Sequence, residues 1–341
     1  MIDFTELKRT HKNYRGANGS KIAVIYNNEQ YMLKFPSIPS KNKELSYTNS
    51  CISEYLGCHI YESMGIPIQE TLLGVYRIKD KEKIVVACKD FTSSGIELQD
   101  FAALKNEIID SEMNGYGTEL EEILYTFNSQ TAMDVNEITE RFWDMFIADA
   151  LIGNWDRHNG NWGFLYNVEA DTVSLAPVYD CGSSLYPQVD EDMIKTILSD
   201  KNQINHRIYN IPTSAIRIDN RRINYFQFIS SLDNHDCNLA LKRIEEHLDM
   251  EKISGIIENT PFINDLQKQF YFTMLTARKE RILDYSYNLL SKNKIQVSDI
   301  TKDNTKKSVL DKLKSNQEKI VCVSKGDDQV GEKNKKQEEV R

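Results

Sequence analysis

Three residues have the types and spacing for phosphoryl transfer. Asp156 and Asn161 lie in the run Asp156-Arg157-His158-Asn159-Gly160-Asn161, and Asp180 follows nineteen residues later in Val178-Tyr179-Asp180-Cys181-Gly182. Asn161 and Asp180 offer hard oxygen atoms of the kind that hold Mg²⁺ when the ion already keeps nucleotide phosphates as ligands. Asp156, five residues before Asn161, stands where a kinase catalytic loop places the carboxylate that accepts the proton of the acceptor hydroxyl. Asp, Asn and Gly in a loop are commonly turn formers and nothing more. A second Asp at a spacing that a hairpin would close raises the run above that reading.

The elements that must position these groups follow from the flanking residues. Residues 162–166 and 173–179 are rich in β-branched and aromatic side chains, and 167–171 is turn-like, which predicts a β-hairpin. A hairpin centred near Ala170 sets residue 161 opposite residue 180, so Asn161 and Asp180 meet at one end of the ribbon. His158 has no Cys, Ser or second His at a supporting spacing and reads as a phosphate-contacting or loop-ordering group. Trp143, Trp155 and Trp162 read as packing around the loop.

Upstream, the run Tyr14-Arg15-Gly16-Ala17-Asn18-Gly19-Ser20-Lys21 precedes a strand. Its two glycines would let backbone N–H groups approach phosphate oxygens, although the Gly-Lys-Ser/Thr ending of a Walker loop is missing. Strands are predicted over 21–26 and 31–35, the second with Tyr31, Leu33 and Phe35 on one face and Met32 and Lys34 on the other. Lys34 matches a strand lysine that pairs with nucleotide phosphates. Glu54, in a helix predicted over 47–64 and ended at Gly65, is placed to orient that lysine through an ion pair, with Glu44 and Glu62 as competitors. After strands over 72–78 and 84–88, Lys89-Asp90-Phe91 marks the change to helices, where hinge backbone groups would meet adenine.

Helical spacing then predicts helices over 97–110, 119–128 and 136–152, the last feeding directly into the Asp156 loop. Beyond Asp180, further helices are predicted over 224–233, 236–247, 250–258 and 262–291. The pattern describes an α+β, two-lobed, protein-kinase-like fold: a small strand-rich N-lobe with one helix (1–91), a larger mainly helical C-lobe (92–293) and a charged, disordered tail (294–341).

Composition excludes several function classes. With 341 residues, 40% of them hydrophobic, the chain can bury a substantial core. No window approaches the ~18 apolar residues of a membrane span, and the start lacks a secretory signal, which predicts a cytoplasmic protein. Six cysteines without Cys-x-x-Cys spacing predict reduced thiols rather than disulfides or a zinc site. The net charge is −9, and residues 301–341 carry +3, so residues 1–300 carry −12. An acidic body repels nucleic acid, and no specific nucleic-acid partner is expected.

Gly16-Ala17-Asn18-Gly19-Ser20-Lys21, Lys34 in Leu33-Lys34-Phe35-Pro36, Asp156-x-His158-x-x-Asn161 and Tyr179-Asp180-x-x-Ser183 together resemble the HipA-type Ser/Thr kinases over residues 14–290. Runs such as 85–92, 142–146 and 156–165 strengthen the likeness toward a branch of proinflammatory effectors. The resemblance implies a protein kinase dependent on ATP and Mg²⁺, acting on a protein substrate, autophosphorylating, and translocated into host cells. It implies catalytic roles for Asp156, His158 and Lys34, and metal ligation by Asn161 and Asp180. It implies nucleotide contacts from Gly16, Ala17, Asn18, Gly19, Ser20, Lys21, Lys34, Glu54, Lys89, Asp90, Phe91, His158 and Asn161.

Two departures stand out. Asn13-Tyr14-Arg15 replaces the phosphorylatable serine that HipA toxins carry before the glycine loop, and that loop opens by residue 16, where those toxins have a long N-terminal domain ahead of it. Toxin–antitoxin behaviour with DNA binding is therefore not expected. Phosphorylation of Tyr14 or Ser20 is the corresponding regulatory expectation. The Asp-Arg-His-x-x-Asn run also looks like phosphoinositide kinases, so a lipid kinase is the alternative enzyme and an ATP-binding pseudokinase scaffold the alternative outside catalysis.

Overall fold

The computed structural model describes residues 1–14, 21–36, 49–109 and 112–292. The glycine loop from Gly16 to Ser20, the competitor Glu44, and the tail expectation for 294–341 lie outside the described residues.

A five-stranded sheet holds the N-terminal third. It comprises β1 (Ile2–Asp3), β2 (Lys21–Tyr26), β3 (Glu29–Lys34), β4 (Thr71–Ile78) and β5 (Lys81–Lys89), in the order β1-β4-β5-β3-β2. The β1–β4 pair is parallel and the others are antiparallel. The predicted alternation in β3 holds. Tyr31, Leu33 and Phe35 join Phe4, Val24, Tyr76, Val85 and Ala87 in a core on one face. Met32, Val86 and Cys88 turn toward the other face, against helix α1 (Ser50–Ser63). Lys34 leaves the sheet on this second side because side chains alternate along a strand.

The chain then forms β6 (Ile96–Asp100), α2 (Phe101–Ile108), α3 (Leu120–Ser129) and α4 (Val135–Ile152). The helix predicted over 97–110 is thus a strand followed by a shorter helix. Asp100 accepts the Ala103 N–H at 2.9 Å and starts the helix there, while 96–100 pair with β7 (Gly163–Asn167). A single buried cluster runs through α1, α3 and α4 into the later helices, with Trp143, Phe127 and Phe142 inside it.

β7 and β8 (Thr172–Leu175) form the predicted hairpin with a different register. Asn167 pairs with Thr172 and Phe164 with Leu175, so the ribbon projects residue 161 opposite 178, not 180. Asn167 sets this turn by accepting the Glu169 and Ala170 N–H groups, both at 3.0 Å. The second strand stops at Leu175 because Pro177 has no N–H to donate.

The remaining elements are α5 (Glu191–Ser199), α6 (Lys201–Tyr209), the small hairpin β9 (Arg217–Ile218) and β10 (Arg221–Arg222), α7 (Tyr225–Ser231), α8 (His235–His247), α9 (Met250–Asn259), α10 (Asp265–Arg278) and α11 (Tyr285–Lys292). The long helix predicted over 262–291 is interrupted by a π turn, Lys279–Asp284. Among the described residues no helix is long and apolar enough to cross a membrane. The described cysteines are free and buried.

Candidate active site

Helix α4 ends at Gly153, whose left-handed φ of 66° turns the chain into the Asp156 loop. Asn154 organises the first step: its amide donates to Asp149 Oδ1 at 3.0 Å, and its Oδ1 accepts the Asp156 N–H at 3.0 Å. Asn161 closes the loop by donating Nδ2–H to the Asp156 carbonyl at 2.9 Å. That bond uses the amide nitrogen, and Oδ1 has no partner among the described residues. Asn159 donates to the carbonyls of Gly115 and Gly117 at 2.8 and 2.7 Å, fixing the loop to the segment before α3. His158 accepts the Gly160 N–H at 3.0 Å and has its ring against Tyr116, so its Nδ1 orders the loop.

The opposite wall is built on Lys34. Its ammonium lies 3.0 Å from Glu54 Oε1 and 3.0 Å from Asp180 Oδ1. Burial would push the Lys34 pKa down, but the Asp180 and Glu54 carboxylates win and hold it well above its usual range. Asp180 has a left-handed φ of 62° and a side chain 41% exposed. Burial would raise its pKa, and Lys34, then Arg157 and Lys21, lower it below the usual carboxylate value. Lys21 lies across the β2–β3 ladder from Lys34. The lack of a side chain at Gly182 matters here, because a Cβ would stand 2.9 Å from Glu54 Oε2.

The two walls meet. The Ser183 hydroxyl stands 3.5 Å from Asp156 Oδ2, and burial, reinforced by the Asp180 charge, pushes the Asp156 carboxyl up against the pull of His158 and Arg222. The structure therefore brings Lys34, Glu54, Asp156, His158, Asn161 and Asp180 together.

The hinge triplet behaves differently. Lys89 donates its N–H to the Glu70 carbonyl at 2.9 Å and accepts the Gln69 amide on its own carbonyl at 2.8 Å. Its side chain goes to Glu29 and Glu70. Asp90 donates its N–H to the Gln30 carbonyl, and its carboxylate takes Tyr14 at 2.6 Å, Lys12, Gln30 and Thr92. Among the described residues, Asp90 C=O and the Phe91 backbone groups are the ones left for a ligand. The Tyr14 hydroxyl is spent on Asp90.

One buried network escapes the sequence reading. Arg157 donates to Asp149 Oδ2 at 3.0 Å, to the Asn161 carbonyl at 2.8 Å and to the Tyr179 carbonyl, and approaches Cys181 Sγ at 3.4 Å. Asp149 also accepts the Tyr61 hydroxyl at 2.7 Å. A single guanidinium thus ties the main chain at Asn161 to the main chain just before Asp180, with both its charge and that of Asp149 out of water. A carboxylate within the apolar run Phe146-Ile147-Ala148-Asp149-Ala150-Leu151-Ile152 was the available signal, since a buried charge needs a partner.

Comparison with known proteins gives the family. The chain is 49% identical over 288 residues, 84% of its own length and 87% of the relative's, to the serine/threonine-protein kinase CtkA of Helicobacter pylori. The crystal structure of a Helicobacter pylori proinflammatory kinase CtkA superposes with a TM-score of 0.81 at 48% identity, covering 86% of this chain and 99% of that one. HipA of Shewanella oneidensis, solved with HipB and operator DNA, matches at a TM-score of 0.50 and 14% identity over 83% of this chain and 68% of that one, which is a likeness of fold alone. The model of the HipA-like C-terminal domain matches residues 15–252, and the chain belongs to that family.

Proposed function

We propose that the protein is an ATP-dependent protein kinase that transfers a phosphoryl group to Ser or Thr hydroxyls of a protein substrate, with residues 1–91 as its nucleotide lobe and 92–293 as its catalytic lobe. The carrying observation is the convergence of Lys34, held by Glu54 and Asp180, with the Asp156–Asn161 loop. The residues fit Mg²⁺ and ATP. Asn161 Oδ1 and the half-exposed Asp180 carboxylate are hard oxygen donors, and a site with only two protein ligands suits an ion that takes its remaining ligands from phosphates and water. When bound, the metal nucleotide supplies the phosphoryl group and draws off the charge that develops on it.

The chain's own residues do the rest. Asn161 and Asp180 would hold the ion, and Lys34 would neutralise phosphate oxygens while Glu54 keeps its ammonium in place. Asp156 accepts the proton of the acceptor hydroxyl, a task that its elevated pKa favours because the carboxylate becomes a better base. His158 holds the loop turn through Nδ1. Phe91 and the Asp90 carbonyl present the backbone edge to the base, and Gly16–Ser20 with Lys21 would cover the phosphates.

The test is Mg²⁺-dependent ATP binding and transfer of labelled phosphate to generic proteins and to phosphoinositides, measured in parallel. Wild type is expected to label protein Ser and Thr, and Asp180→Ala to lose Mg²⁺-dependent ATP affinity. Unchanged MgATP affinity in Asp180→Ala removes that residue from the metal site, and labelling of lipid alone reassigns the substrate.

A further inference from the structure

The hairpin β9–β10 stands beside the Asp156 loop, where Arg222 donates to the Trp155 carbonyl. Six residues, Arg217-Ile218-Asp219-Asn220-Arg221-Arg222, carry three arginines in a body whose residues 1–300 hold a charge of −12. Asp219 and Asn220 take left-handed φ values of 50° and 63°, the signature of a tight two-residue turn, so the hairpin is a rigid mount. Its base is pinned by the Arg217 N–H, which donates to the Thr118 carbonyl at 2.8 Å.

Arg217 and Arg222 are directly opposed in the ladder, so both side chains leave the same face. Like charges directly opposite one another cost stability. Among the described residues none of the three arginines forms an ion pair. Glu119, whose backbone bridges to Arg217, spends Oε1 on the Asn220 N–H at 3.0 Å. The Arg217 guanidinium makes one bond, to the Asn220 carbonyl at 2.7 Å, and the Arg222 guanidinium one, to the Trp155 carbonyl at 2.9 Å. Each keeps most of its donor fork free.

Trp155 is the residue immediately before Asp156. Burial pushes the Asp156 carboxyl up, and Arg222 is among the charges that oppose it, which places its field on the reacting carboxylate. An anion seated on the arginine pair is therefore next to whatever offers its hydroxyl to Asp156.

We infer that the β9–β10 hairpin docks acidic residues flanking the phosphoacceptor, with Arg217 and Arg222 as specificity-determining side chains; this rests on the kinase reading. Arginine forks match carboxylates in bidentate geometry, which suits this task. The hairpin carries no aromatic side chain on which a nucleic-acid base would stack, and three basic residues fall short of the ~4–8 that bind an anionic membrane. An acidic polypeptide is the partner that fits.

The experiment scans a peptide library with a fixed central Ser and one varied flanking position, using the full chain and MgATP at low and high salt. Wild type is expected to favour Glu or Asp over Gln at one or more positions by about fivefold, the worth of one exposed ion pair, and to lose the preference at high salt. Arg217→Gln, chosen because Arg217 does not hold the Asp156 loop, should abolish the preference, and Arg217→Glu should turn it toward Lys. MgATP affinity and thermal unfolding of each variant report that the fold is kept. Equal labelling of Glu and Gln peptides, or a preference that survives both substitutions, overturns the inference while leaving the kinase reading standing. Absence of MgATP binding in wild type would sink the kinase reading and the inference with it. If Arg217→Glu instead abolishes binding to phosphatidylserine vesicles or to poly(U) with peptide preference unchanged, the face serves a membrane or RNA and the inference falls.

Discussion

Among the lysines that bridge two carboxylates, the two least exposed, Lys34 and Lys279, do different things. Lys34 holds Glu54 and Asp180, both at 3.0 Å, and Lys279 holds Asp284 at 2.5 Å and Glu245 at 3.5 Å. The local chemistry is nearly the same, and both lysines are held above their usual pKa by their carboxylates against the effect of burial. What differs is the setting. Lys279 sits in a π turn and bonds Glu245 and Asp284. Lys34 faces the Asp156–Asn161 loop, and one of its carboxylates is carried on left-handed backbone and 41% exposed. A perturbed ion triad marks a structural joint as readily as an active site, and convergence with other functional groups tells the two apart.

The sharpest way to break this comparison is to remove what Lys34 has and Lys279 lacks. Asp156→Asn is expected to lower phosphotransfer by roughly 10²–10⁴ with little change in ATP affinity, because the base acts on the acceptor hydroxyl. Near-wild-type turnover in a single-turnover assay would contradict the assignment. Next in size is the buried pair behind the loop. Asp149→Ala leaves the Arg157 guanidinium without its counterion and should cost about 3–5 kcal/mol in urea unfolding, several times the loss from an exposed pair such as Lys195–Asp192.

Exchanging the two lysines for methionine tests the comparison directly. Lys34→Met should reduce kcat/KM for ATP by about 10²-fold, the usual loss when one preorganised donor is removed, besides a stability loss from leaving Glu54 buried without its counterion. Lys279→Met should leave kcat/KM alone and cost about 1–3 kcal/mol of stability, since Glu245 and Asp284 then face one another unscreened. The reverse pattern would show that the triads had been assigned the wrong way round.

The smallest effect concerns Glu245, whose pKa is pushed up to about 7 by burial and then by Asp284, against the pull of Lys279. A carboxyl with a folded-state pKa above its unfolded value of 4.5 binds its proton more tightly when folded. Its stabilising contribution is complete below pH ~4.5 and lost as pH rises through ~7. Glu245→Gln should therefore raise the thermal midpoint at pH 8, by about 1 kcal/mol of stability, and change little at pH 5. A gain at pH 5 equal to that at pH 8 would remove Glu245 from the titration.

What the sequence disclosed follows from which signals are local. Lys34 was legible because the alternation of Tyr31, Leu33 and Phe35 leaves its neighbour on the opposite face, and Glu54 because a helix capped at Gly65 brings one glutamate to that side. Asn161 and Asp156 were legible from their spacing. The hairpin was found but misregistered by two positions, because Asn167 set the turn and Pro177 ended the strand. β6 falls inside the helix expected over 97–110 because its partner β7 lies more than sixty residues away, where no local spacing reports it. The role of Arg157 has no local signal for the same reason: its partners Asp149, Asn161 and Tyr179 come from three separate segments, and no periodicity marks such a convergence.

Val178 is paired in parallel with Ile68, Gln69 donates its N–H to the Val178 carbonyl at 2.8 Å, and Gly57 of α1 packs so close to Cys181 that a Cβ there would stand 2.7 Å from the Cys181 Cβ. The helix that carries Glu54 and the segment that carries Asp180 are consequently clamped into one body. An inhibitor that works by wedging this helix outward would have to break a backbone ladder and open a seam with no slack in it. Compounds directed at the half-buried backbone of Asp90 and Phe91, the edge proposed above to meet the base, would not have to open that seam and could leave the helix where it is.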